Sequence, residues 1–266
     1  MKNSLTLRIA GLNFKLNFFP IESTHLAETF IDSIKKDYSG FIYKEKTFTA
    51  DFNINIVEPD LEMIYMSKQK TYYLNFFRSK GKNTYETFYR IGQAQFSSFL
   101  MQILLRTLGK KNAFILHSSS VKIGDNANLF MAFSGGGKST IMKFLSDKYS
   151  SLGDDSVIIK KEAGKYYMYQ TPAIEKEWWI KKGSARYDLG TLYFINKSES
   201  MFEEDLADKD KALFKLMNQL MIVEKGSKEQ AKRLMEFIKS YHDIKMLFFP
   251  KKRDKVLKYF EAKTNE

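Results

Sequence analysis

Phe130-Met131-Ala132-Phe133-Ser134-Gly135-Gly136-Gly137-Lys138-Ser139-Thr140 is the stretch that decides the fold. An apolar run leads into three consecutive glycines, then a lysine and two hydroxyl residues. Residues 139–149 (STIMKFLSDKY) follow with helical spacing. Strand, glycine loop and helix form the setting in which backbone N–H groups and a helix N-terminus hold phosphate oxygens. Glycine suits the loop because a Cβ would keep the ligand away from the backbone. Lys138 is spaced to reach the outer phosphates and Ser139 to ligate magnesium. The expected cradle is Ser134, Gly135, Gly136, Gly137, Lys138, Ser139 and Thr140. The pattern G-x-x-x-x-G-K-[ST] is broken only at its first position, where Ala132 stands for glycine. The alternative reading is a helix N-terminus behind a glycine-rich turn that holds no ligand.

Phosphoryl transfer needs a carboxylate for the metal and often a second for the proton of the nucleophile. Ser151-Leu152-Gly153-Asp154-Asp155-Ser156-Val157-Ile158-Ile159 places two adjacent carboxylates ahead of an apolar strand, one helix downstream of the loop. Taken alone this is a solvated Gly-Asp-Asp turn. Paired with the loop at this spacing it becomes a candidate catalytic pair. His117, in Phe114-Ile115-Leu116-His117-Ser118-Ser119-Ser120, belongs to the strand before the loop strand and is expected beside the phosphates. His25 and His242 read as structural.

Residues 116–159, LHSSSVKIGDNANLFMAFSGGGKSTIMKFLSDKYSSLGDDSVII, together resemble the HPr kinase/phosphorylase family and its relatives with the phosphoenolpyruvate-carboxykinase-like P-loop fold. The shared pattern is an L-H-[AS]-S strand, a short hairpin, an apolar strand into [GA]-x-S-G-x-G-K-S-T, a helix, and L-x-D-D. Thr171-Pro172 and residues 189–196 (LGTLYFIN) are similar to later family elements more loosely. The resemblance implies ATP and Mg2+ as cofactors. It implies Lys138 on phosphate, Ser139 and Asp155 on magnesium, Asp154 as general base and His117 tuning it, with the order inside the acid pair open. A cation on the transferring phosphoryl is also implied, and Arg186 is the candidate. The acceptor is expected to be a serine hydroxyl of a protein or peptide, or a small hydroxyl compound such as free serine. A nucleotide-binding or regulatory protein without transfer is the other reading. The family often assembles, so a homo-oligomer is admitted.

The rest of the chain fits around this unit. Residues 5–19 alternate about Gly11 and read as two strands. Residues 24–36 read as a helix capped by Ser23 or Thr24. Four strand-like runs follow, then an apolar helix over 93–108. Residues 113–123 form an apolar run that a turn at 124–126 separates from the loop strand, and a second glycine turn falls at Gly164. Strands are expected over 156–162, 165–171 and 190–196, helices over 203–222 and 227–240, then a strand (IKMLFF) and a closing helix. The fold class expected is α/β: a P-loop, mixed-sheet domain of HPr kinase/PEP carboxykinase type over 111–266, preceded by a strand-rich α+β unit over 1–110.

Composition narrows the function classes. The absence of cysteine removes disulfide scaffolds and thiolate metal sites. No apolar run reaches the roughly 18 residues of a membrane span, and the N-terminus lacks a signal-peptide core, so a soluble cytoplasmic protein is expected. A net charge of +12 admits a nucleic-acid partner. The lysines are scattered, arginine is scarce and no base-stacking motif is present, so nucleic acid is set aside. Trp178-Trp179 cannot both face inward on a strand, and one is expected on an interface.

Overall fold

The computed structural model describes residues 4–45, 47–58, 64–66, 72–175, 177, 179–224 and 226–264. The chain is α/β with mixed sheets and divides into two compact units, Met1–Met101 and Gln102–Glu266.

The first unit holds β1 (Ser4–Ile9), β2 (Leu12–Phe18), α1 (Thr24–Asp37), β3 (Phe52–Val57), β4 (Ile64–Met66), β5 (Tyr72–Leu74), β6 (Phe77–Gly81) and β7 (Thr84–Phe88). Its five-stranded sheet runs β1-β2-β3-β7-β6, with β2/β3 and β3/β7 parallel. Ala10 and Gly11 both have positive φ, so two residues reverse the chain between β1 and β2. Ser23 caps α1 by accepting the Leu26 amide. The division between units falls inside α2 (Gln93–Thr107).

The second unit begins with β8 (Ala113–Leu116), β9 (Ser119–Ile123), β10 (Asn126–Met131), α3 (Lys138–Leu145), β11 (Ser150–Gly153), β12 (Val157–Glu162) and β13 (Lys165–Gln170). It continues with β14 (Arg186–Lys197), β15 (Phe202–Asp205), α4 (Lys209–Met217), β16 (Leu220–Met221), α5 (Ser227–Ser240), β17 (Ile244–Phe249) and α6 (Arg253–Thr264). Strands β11-β9-β10-β14-β17-β15 lie side by side, with β10/β14 and β14/β17 parallel. From the start of β14 the pairing runs on through β13, β12 and β8 to β16.

Alternation along the central strands explains why both faces are buried. Leu129, Met131, Leu192 and Phe194 enter one core with Phe114, Ile159 and the α4 and α5 residues Leu216 and Leu234. Phe130, Tyr193 and Ile195 enter the other, under Ile141 and Leu145 of α3 and Phe260 of α6. Parallel strands covered on both faces read as continuous apolar runs, which is how LFM and LYFI appear in the sequence.

Three expectations need correction. Residues 203–222 are not one helix: β15, α4 and β16 divide them, with Asp208 capping α4 through the amides of Asp210 and Lys211. Residues 113–123 are two strands, broken at His117 and Ser118, because β8 pairs with β12 whereas β9 pairs with β10. His25 and His242 are exposed, so neither is a buried structural histidine. No helix among the described residues is long and apolar enough to cross a membrane.

Glu203 of β15 ties the sheet edge to α6. Lys245 Nζ donates to Glu203 Oε1 at 2.6 Å and Lys263 Nζ to its other oxygen. Burial works against the charge, but the bonds from Lys245, Lys263 and Tyr259 outweigh it and hold the carboxyl at about 2. The unfolded chain takes up the proton near the ordinary value of 4.5, so this contribution is full above that pH and is lost as pH falls toward 2. Glu203→Gln is therefore expected to melt several degrees below the wild type at pH 7, with the gap closing through pH 4.5 to 2. A gap independent of pH would remove the ion cluster as its cause.

Candidate functional site

The glycine loop is built by local geometry. β10 delivers Ala132, and α3 starts at Lys138. Gly135 (φ 75°) and Gly137 (φ 108°) lie where side chains are strained. The Gly136 amide donates to Phe133 O at 2.9 Å, which makes the turn. A Cβ on Gly136 would stand 2.4 Å from the Ala132 methyl. The one break in the motif is thus accommodated: the extra methyl lies over a glycine. Lys138 is only 8% exposed, and its Nζ donates to Ala132 O at 2.9 Å. Lys197, at the end of β14, donates to Gly135 O at 2.8 Å. The first amides of α3 have no intrahelical acceptor and carry the positive end of the helix dipole. Ser134 and Ser139 are exposed at the loop, and Thr140 is half-buried behind it.

The acid pair reaches the same place from β11, a short strand the sequence reading did not resolve. β11 lies antiparallel beside β9, with Gly153 opposite Ser120. Asp154 comes next and is 4% exposed. Its Oδ1 accepts the Ser119 hydroxyl at 2.7 Å, and its amide donates to Glu175 Oε2 at 3.0 Å. Asp155 is half-buried. His117 directly follows β8, its amide donating to Gln219 O at 2.7 Å.

The four charges feel one another. Burial and then the Lys138 charge push the His117 imidazole below its ordinary value, against Asp155, which also hydrogen-bonds it through its backbone, and Asp154. The ring is therefore neutral at neutral pH. Burial also pushes Lys138 down, and Asp154 and Asp155 hold it up. Lys138, Asp154, Asp155 and His117 are thus one cluster.

Arg186 is not part of it. β10 and β14 are parallel, with Asn126 opposite Asp188 and Met131 opposite Phe194. The loop leaves β10 beside Phe194, whereas Arg186 opens β14 at the other end, roughly 25 Å back along the strand. Its guanidinium sits 4.1 Å from the centre of the Tyr167 ring and pairs with Glu162 at 3.3 Å. The assignment failed because β14 begins four residues before the apolar run that marks it.

Two residues that sequence reasoning passed over occupy the ground beside the acid pair. Lys182 and Glu175 form a buried ion pair. Lys182 Nζ also donates to Ala173 O at 2.7 Å and Thr171 Oγ1 at 3.3 Å, and it feels the Asp155 charge. Burial presses its pKa down, against Glu175. Glu175 in turn receives the Asp154 amide. The pair lies between β13 and β14, in a segment without periodicity, and the nearby Thr171-Pro172 is the one local signal. Trp178 lies outside the described residues. Trp179 is half-buried and packs against the α3 core beside Ile180.

Among the described residues no three His, Asp or Glu side chains converge as a metal set. A magnesium ion that travels with phosphate needs only one or two protein oxygens, the rest coming from phosphate and water. The Ser139 hydroxyl and the Asp155 carboxylate fit that requirement.

The solved HPr(Ser) kinase/phosphatase from Coxiella burnetii is similar to this chain at 12% identity and a TM-score of 0.30, covering 57% of this chain and 88% of that one. A likeness this distant carries no weight beside the geometry above. No protein-family model matches the chain. No curated protein matches it.

Proposed function

We propose that the second unit is a P-loop phosphotransferase that moves the γ-phosphoryl group of ATP to a hydroxyl, with serine of a protein or peptide as the acceptor. The observation that carries this reading is the cluster of Lys138, Asp154, Asp155 and His117 beside a glycine loop at a helix N-terminus. A loop alone would support binding; a buried carboxylate next to its lysine supports transfer.

Lys138 and the loop amides hold the phosphates. Ser139 and Asp155 would hold magnesium, which when bound draws charge from the phosphoryl oxygens. Asp154 takes the proton of the attacking hydroxyl as the new O–P bond forms and the bridging bond to ADP breaks. Neutral His117 adds no second positive charge beside Asp154 to weaken it as a base. Ser119 and Glu175 fix Asp154 through its carboxylate and its amide. Lys182 takes the place first given to Arg186 as the nearby cation, but its acceptors make it a positioning residue.

The test is titration of ATP with magnesium into wild type and Lys138→Ala by calorimetry, with product analysis of the same mixtures. Binding to the wild type, at least a hundredfold weaker in the variant, is the expected result, with ADP formed once an acceptor is supplied. No binding to the wild type would end the proposal.

A further inference from the structure

The connection between β13 and β14 grips the acid turn at every second residue. Gln170, the last residue of β13, is buried. It donates its amide hydrogens to Leu152 O at 2.6 Å and Lys181 O at 3.0 Å, and its oxygen accepts the Gly183 amide at 2.9 Å. Both hydrogens and the oxygen of this amide are thereby used. Glu175 takes the Asp154 amide. The fully buried Thr171 hydroxyl shares a hydrogen bond with Ser156 Oγ at 2.9 Å and accepts Lys182 Nζ at 3.3 Å. Leu152, Asp154 and Ser156 are held in this way, and Asp155 is carried between two held residues.

The same connection is fixed at its other side to α3. Buried Ile180 belongs to the core of Ile141, Met142 and Leu145, with Trp179 packed against it. Glu177 pairs with Lys143 at 2.7 Å, and the Lys143 ammonium lies 5.9 Å from the centre of the Trp179 ring. α3 opens at Lys138 and Ser139. One connection therefore holds both the helix that bears the phosphate lysine and the turn that bears the acids.

We infer that the described residues of this connection form a strap that sets the distance between Asp154 and the phosphoryl group on the loop. Gln170 and Thr171 are positioning residues at the acid end, and the Lys143–Glu177 pair is the tie at the α3 end. The inference rests on the transfer reading above. A misplacement of ~1 Å at a reacting group costs about a hundredfold in rate. Loss of a tie therefore harms transfer while the phosphate cradle stays whole.

The experiment measures, by calorimetry on the full chain, MgADP alone and MgADP with aluminium tetrafluoride, which mimics the phosphoryl group in flight. Such a mimic gains affinity only where the base and the phosphate site are correctly spaced. Thr171→Val is nearly isosteric and lacks the hydroxyl, and Thr171→Ser restores it. Lys143→Met breaks the exposed tie on α3 and leaves the core intact. Fluoride is expected to tighten wild-type ADP binding by about a hundredfold. Thr171→Val should lose about tenfold of that gain and Lys143→Met about threefold, with ADP alone bound as tightly as by the wild type. Thr171→Ser should keep most of the gain. The full gain in Lys143→Met, or in a folded Thr171→Val, would overturn the strap. So would an equal loss of ADP binding with and without fluoride, or no recovery in Thr171→Ser. A wild type that binds ADP but gains nothing from fluoride would overturn the transfer reading and the strap with it. One that binds no ADP would overturn the loop reading as well.

Discussion

Asp154→Asn is expected to slow phosphoryl transfer by about a thousandfold while ATP still binds. The substitution is nearly isosteric. It keeps an oxygen for the Ser119 hydroxyl, whose bond to Oδ1 is 2.7 Å, and keeps the backbone amide that Glu175 receives. What it removes is the capacity to take a proton from the attacking hydroxyl. Single-turnover transfer from labelled ATP, run beside calorimetry on the same preparation, separates the two effects. Transfer within tenfold of the wild type would take the base role away from Asp154. Weakened ATP binding in the variant would instead make Asp154 part of the phosphate and magnesium site, with Asp155 left to take the proton.

Lys182→Ala is expected to cost about 3–5 kcal/mol of stability, because it strands the Glu175 carboxylate in a buried position. Glu175 has a side chain only 5% exposed, so water cannot readily replace the lost ammonium. The double variant Lys182→Ala/Glu175→Ala should recover part of the loss, since no charge is then left unpaired. Both tryptophans of the chain lie in this segment, at 178 and 179, so urea unfolding followed by their fluorescence reports on it directly. A loss below about 1 kcal/mol would mean that the pair is hydrated and does not anchor the acid pair.

What the sequence disclosed, and what it hid, follows from the distance over which each feature is encoded. The turn into α3 is encoded in contiguous residues, and the positive φ of Gly135 and Gly137 is a local backbone requirement, so a glycine turn opening a helix was legible outright. The acid pair and His117 needed only one further assumption, that the chain returns to a neighbouring strand. β11 and β9 meet that assumption. Arg186 failed because strand register decides which end of a sheet a residue occupies, and no pattern in RYDLG records register. Glu175 and Lys182 were invisible because an ion pair in an aperiodic connection has no spacing of its own. The misread helix at 203–222 has a similar cause: Phe-Glu-Glu-Asp is poor in strand formers, and its pairing with β17 overrides local propensity.

β15 has one more consequence. It pairs with β17 along one side, and no described strand pairs with the other. An open strand edge is a template on which another polypeptide can extend the sheet, and proteins guard against such growth with charge. Here the guard is Glu203-Glu204-Asp205. A second copy adding at this edge would bring its own carboxylates opposite these, and like charges facing each other across a strand pair repel. Lys245 and Lys263 are engaged on Glu203, and Lys245 also reaches Asp205 at 3.6 Å, so the guard at this edge rests above all on Glu204. Fibrous, edge-to-edge accretion is thus disfavoured at this border in spite of the cationic surplus of the whole chain. Assembly of copies, where it occurs, has to use a different face.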